Sequence, residues 1–143
     1  MHILLMADTS ADPDSGAAGT DIRTAEALRE LGHEVDEIWA DTLGRRIRHG
    51  NLHYLLELPR AYEREMLRAM SGKPYDLIYV SQSHGWLAAK TLHESGSPAL
   101  FLHRSHGFEP HAQRVVSAWE HRLGVPQPIL PKRAARSVLS HLL

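Results

Sequence analysis

The 143-residue chain has no cysteine. That excludes disulfides and thiolate-held metals, and it fits a reducing compartment. Neither sign of charge prevails: 16 Lys and Arg against 17 Asp and Glu leave a net −1. No global field therefore draws the chain to nucleic acid or to a membrane surface. Long apolar runs are missing as well; Ile3 to Ala7 falls far short of the roughly 20 residues of a membrane helix and of a secretory leader. Three ligand motifs are absent: G-x-G-x-x-G, G-K-[ST] and the His-Glu-x-x-His helix. Dinucleotide, P-loop and zincin readings lose their support with them. Apolar residues make up 43% of the chain, enough at this length for a single core. The expectation is one cytoplasmic domain spanning 1–143.

What is present alternates in kind. "HILLMAD" (2–8) is a nearly continuous apolar run, as in a strand covered on both faces. The Asp-, Ser-, Pro- and Gly-rich "TSADPDSGAAG" must turn. A helix is predicted from Thr20, whose hydroxyl suits a cap, with Ile22, Ala25, Leu28 and Leu31 as its apolar side and Gly32 as its stop. "HEVDEIW" (33–39) reads as a less buried strand. A long helical pattern covers about 52–71, where Pro59 either kinks the helix or marks its start. "YDLIYVS" (75–81) is a buried strand, 84–95 a helix ended by Gly96, and "PALFLH" (98–103) a further strand. Helices at 111–123 and 132–142 flank the Pro-rich "GVPQPILP".

This alternation predicts an α/β fold: a Rossmann-like parallel sheet of at least four strands, with right-handed crossovers and helices on both faces. Such sheets bind ligands beyond the carboxyl ends of their strands. The loops "SADPDSGAAGT" and "HRSHGFEP" both fall on that edge.

"GAAGT" opens a helix with small residues, so a ligand can approach its backbone and an anion can meet its first amides; a simple turn competes evenly. Asp12, Asp14 and Gly16 lack the closing glutamate of a calcium loop, Arg23 standing in its place. His103 and His106, three apart on a strand end, need not face the same way; His106 and His111 around Glu109 are a disfavoured zinc alternative, with no His-Glu-x-x-His helix to support it. The better reading puts His106 in the cleft beside Gly107, where imidazole exchanges hydrogen bonds with hydroxyls or phosphate. His84, in "SQSHGW", is a second cleft candidate or else a helix cap. "RRIRH" (45–49) is a basic run. The helix at 132–142 sets Lys132, Arg133 and Arg136 opposite Ala135, Val138, Leu139 and Leu142; it is expected to pack on the domain, with peripheral membrane contact as the alternative.

In order, "HILLMAD", "SGAAGTDIRTAEALRELGHEVDEIWAD", "YDLIYVSQSHGWLAAKTL" and "SPALFLHRSHGFEP" resemble the N-terminal, acceptor-side domain of family 4 glycosyltransferases, which have the GT-B architecture of two facing Rossmann-like domains. The resemblance covers about 110 residues. It implies retaining transfer of a sugar from a nucleotide-sugar to an acceptor, with no cofactor and no metal. It makes Gly16 and Gly19 phosphate-proximal and His106 the catalytic cleft histidine supported by Gly107 and Glu109; Thr20, His84 and His103 are further substrate-binding candidates from their own places along the same edge. Two departures stand out. Ser15 precedes Gly16 where the family often has a second glycine, and the C-terminal donor domain is missing from this chain. The expected product is thus an incomplete domain, inactive alone, whose partners are nucleotide-sugar, acceptor and the missing domain. Two alternatives remain: a non-catalytic α/β module that binds or self-associates through an unpaired sheet edge, and a small flavodoxin-like protein, disfavoured because no flavin phosphate loop is recognisable.

Overall fold

Each residue of the first apolar run is buried on one face or the other of a sheet. β1 (His2–Met6) pairs in parallel with β2 (Glu34–Ile38) on one side and with β3 (Leu77–Ser81) on the other; β4 (Leu100–Arg104) continues the sheet in parallel beyond β3. The order β2-β1-β3-β4, with helices between, is an α/β, Rossmann-like arrangement. The computed structural model describes residues 1–105 and 109–125. The chain divides into two units, Met1–His106 and Gly107–Leu143.

The period-2 geometry of a strand divides β1 between two cores. Ile3, Leu5 and Ala7 join Val35, Tyr79 and Ala25, beneath α1 (Gly16–Glu30). Leu4 and Met6 join Ile78, Val80, Tyr62, Met66, Ala88 and Leu92, beneath α4 (Leu58–Gly72) and α5 (Trp86–Glu94). Ile3 through Ala7 are each no more than 1% exposed, so every large side chain among them contributes about 1.5–3 kcal/mol of transfer free energy. β2 is a sheet edge and only Val35 in it is buried, as its charged alternation predicts.

Several boundaries differ from expectation, each for a local reason. α1 begins at Gly16, not Thr20. The Thr20 hydroxyl does not cap; it donates back to the Gly16 carbonyl at 2.6 Å. Leu31, expected on the buried side, is 73% exposed, because it already belongs to the terminus that Gly32 closes at φ +83°. The long pattern before Pro59 is not one helix. After the short α2 (Ala40–Leu43) come α3 (Gly50–Leu52), a π-helical turn at His53–Glu57, and then α4. Pro59 lacks the N–H that would continue the ordinary ladder, so it sits in the first turn of α4 and the widened turn precedes it. α5 is likewise preceded by a 3₁₀ turn at Ser83–Gly85. In the second unit α6 runs Glu109–Arg122. The predicted helix at 132–142 lies outside the described residues.

Candidate functional site at the carboxyl edge

β1 leads into α1 on one face of the sheet, while β2 and β3 lead into α4 and α5 on the other. Adjacent strands whose connections leave to opposite faces open a crevice between their carboxyl ends, the usual ligand position in open α/β sheets. Here that crevice lies between β1 and β3. Asp8 follows β1 and His84 follows β3. His84 Nδ1 lies 3.1 Å from Asp8 Oδ2, and both side chains are mostly buried.

A carboxylate accepts only, so Nδ1 carries the proton in this bond. The lone pair of a neutral ring is then on Nε2, which has no hydrogen-bond partner among the described residues. The imidazole is therefore oriented by a carboxylate and keeps an acceptor atom in hand, the arrangement that suits a general base or a hydroxyl-binding group. Tyr54, from the π-helical turn, stacks on the His84 ring with centroids 4.9 Å apart and planes 18° apart. His84 makes no cap bond to α5, so the competing expectation of a helix cap is not met.

The backbone beside His84 is strained. Gln82 has φ +80° and ψ 157°, a region nearly confined to glycine that costs on the order of 1–3 kcal/mol. Its N–H donates to the Arg104 carbonyl at 2.9 Å, extending the β3–β4 ladder by one bond while the chain swings toward the crevice. Gly85 then tucks under the sheet: a Cβ there would stand 2.6 Å from Val80 Cγ1.

On the β1 side, α1 starts without a side-chain cap and without an acidic residue in its first turn. Its leading amides, with the partial positive charge of the helix start, are thus left for solvent or an anion. At Gly16 nothing lies within 4 Å of where a Cβ would be. Gly19 differs: a Cβ there would meet the Pro13 carbonyl oxygen at 2.5 Å, so its bareness lets the preceding loop fold onto the helix.

α1 is tied to the far strands through polar contacts. Arg104 Nη1 donates to the Tyr79 hydroxyl at 3.0 Å and to Thr24 Oγ1 at 3.2 Å, and stands 3.9 Å from Asp21 Oδ1. The Tyr79 hydroxyl in turn donates to Asp21 Oδ1 at 3.2 Å. Burial pushes the Tyr79 hydroxyl above its ordinary range, against the pull of the Arg104 guanidinium. Buried Asp21 is reached by helical spacing, three residues after Ala18 and four before Ala25.

His103 lies on β4 opposite Val80 and is exposed, on the other face from Arg104. His106 and Gly107 lie outside the described residues, and Glu109 is described only as the start of α6. The structure thus brings His84 into the crevice with Asp8, which sequence reasoning missed although it directly follows the first apolar run. Gln82 carried no sequence signal. Among the described residues no group of three or more His, Asp or Glu is placed to hold a metal, and no helix is long and apolar enough to cross a membrane. Compared with family models, curated proteins and solved structures, the chain matches none of them.

Proposed function

We propose that the chain is the acceptor-side domain of a retaining glycosyltransferase of the family 4 kind, using a nucleotide-sugar and not turning it over alone. The observation that carries this reading is the Asp8–His84 pair in the crevice between β1 and β3. An imidazole fixed by a carboxylate, with Nε2 open, suits the hydroxyl of an acceptor: it accepts the hydroxyl's hydrogen bond and orients its oxygen. The uncapped start of α1 at Gly16 suits the charge that grows on a departing diphosphate. In the same reading Thr20 and Gly19 hold the shape of that start. His103 lies within β4; by the resemblance alone, it and His106, Gly107 and Glu109, which follow it in the chain, are substrate-contact residues.

The test is transfer from UDP- and GDP-sugars by residues 1–143 fused to the donor domain of a family 4 glycosyltransferase, beside residues 1–143 alone. The fusion is expected to transfer and residues 1–143 alone to be silent. In the fusion His84→Ala and His106→Ala are each expected to lower kcat about 100-fold or more. Robust turnover by residues 1–143, or unchanged kinetics in His84→Ala, overturns the reading.

A second reading has its own observation. β4 pairs only with β3 among the described residues, and its Leu100 and Leu102 are 65% and 43% exposed. An open apolar edge strand is a template for pairing, which suits a self-associating module. Sedimentation at high concentration tests it, and a strict monomer removes it.

A further inference from the structure

A cavity of about 300 Å³ lies between α2 and α4, lined in part by Thr42, Arg46, Glu57, Arg60 and Arg64. That volume is at the small end of ligand pockets. Glu57, the one carboxylate in its wall, is already committed. It accepts from the backbone N–H groups of Arg46 at 2.7 Å and Ile47 at 2.8 Å, and from His53 Nδ1 at 2.8 Å. The His53 bond, followed by those amides, holds its carboxyl down at about 2, so it stays ionised and clamps the basic loop in place.

The cations are not balanced in the same way. Arg64 is pinned, with Nε donating to Glu65 at 2.8 Å and Nη2 to the Leu43 carbonyl at 3.3 Å. Among the described residues Arg60 donates only to the Leu56 carbonyl of the preceding π-helical turn, at 2.6 Å. The Arg46 guanidinium has no hydrogen-bond or carboxylate partner among the described residues. Arg60 and Arg64 are four apart on α4, where like charges repel. A concave wall with two guanidinium groups that no carboxylate neutralises among the described residues, together with a threonine hydroxyl, concentrates anions, and guanidinium suits phosphate oxygens through paired N–H donors.

The π-helical turn joins this cavity to the crevice. Its Tyr54 stacks on His84, and its Glu57 forms part of the cavity wall. We propose that the cavity is an anion subsite that holds the phosphate group of a small phosphorylated acceptor, an assignment of acceptor class that rests on the sugar-transfer reading.

The experiment is calorimetric titration of residues 1–143 with glucose 6-phosphate, with glucose as the neutral control, followed by competition with inorganic phosphate. Saturable binding of the phosphate ester alone, displaced by inorganic phosphate, is expected. Arg46→Ala and Arg60→Ala are each expected to weaken it about tenfold, the loss of one charge-assisted contact. Arg48→Ala removes the same charge from the same basic run outside the cavity wall, and is expected to leave binding unchanged. No saturation, equal binding of glucose, or an Arg48→Ala loss as large as that of Arg46→Ala overturns the proposal. All three arginines are exposed, so the variants keep the fold, which circular dichroism verifies. Because the titration requires neither donor nor turnover, its failure is distinct from failure of the transfer reading.

Discussion

The two ends of the sheet are built differently. At the amino edge, charges are matched. Lys73 Nζ lies 2.6 Å from Asp36 Oδ2, the Tyr75 hydroxyl donates to the same oxygen at 2.5 Å, and the ammonium also rests 5.5 Å from the Tyr75 ring centroid. His2 pairs with Glu34, and its backbone N–H donates to Asp76 Oδ2 at 2.7 Å. No residue there other than glycine has positive φ. At the carboxyl edge, Gln82 is strained, α1 starts uncapped, His84 keeps an open nitrogen, and Arg46 and Arg60 have no acidic partner among the described residues. One edge is satisfied by its own side chains. The other holds strain and uncommitted groups, as a ligand-binding edge does.

Substitutions at both edges sharpen the contrast. The largest stability effect is expected at Gly19. An added methyl meets backbone at 2.5 Å and something must shift, so Gly19→Ala is expected to destabilise by about 2 kcal/mol in urea unfolding. An unchanged midpoint breaks the claim that this glycine serves packing. Gln82→Gly is next, with the opposite sign. It relieves a backbone conformation reserved for glycine, at the entropic cost glycine carries, and is expected to stabilise by about 1 kcal/mol. A loss of stability would mean that Gln82 is held by contacts worth more than its strain.

The smallest effect is expected at the amino edge. Lys73→Met removes a partly exposed pair worth less than about 1 kcal/mol. Its pH dependence has a definite sign. Hydrogen bonds from Lys73 and then Tyr75 hold the Asp36 carboxyl below its ordinary 3.8. A depressed carboxylate contributes stability that is present above the unfolded value and is lost as pH falls through the folded one. The deficit of Lys73→Met relative to wild type is therefore expected to be full at pH 6 and to shrink below pH ~3.8. A deficit independent of pH would assign Lys73 a packing role instead.

Much of this architecture was legible along the chain. "HILLMAD" and "YDLIYVS" read as strands buried on both faces because their apolar runs are too continuous for an edge, and the glycines at 32 and 96 marked helix ends that both have positive φ. The break before Pro59 was signalled, but its form was not. A π-helical turn answers a missing hydrogen bond within a tertiary setting, and no local propensity specifies it. The candidate site was half legible. His84 stood out as a histidine beyond a strand, and strand order alone put its loop on the ligand edge. Asp8 and Gln82 did not stand out, because their significance depends on a neighbour 76 residues away in one case and on a backbone angle in the other.

The sequence by itself determined the alternation of strands and helices, the two-sided burial of the sheet and the edge where its loops collect. These follow from hydrophobic period and turn chemistry, which act over a few residues at a time. Only the tertiary structure decided that Asp8 orients His84, that Tyr54 covers it, and that Arg46 and Arg60 share a wall. Each of those juxtapositions is made by packing helices onto a sheet whose strands are distant in the chain, and pair distances across such packing are not encoded in any local pattern.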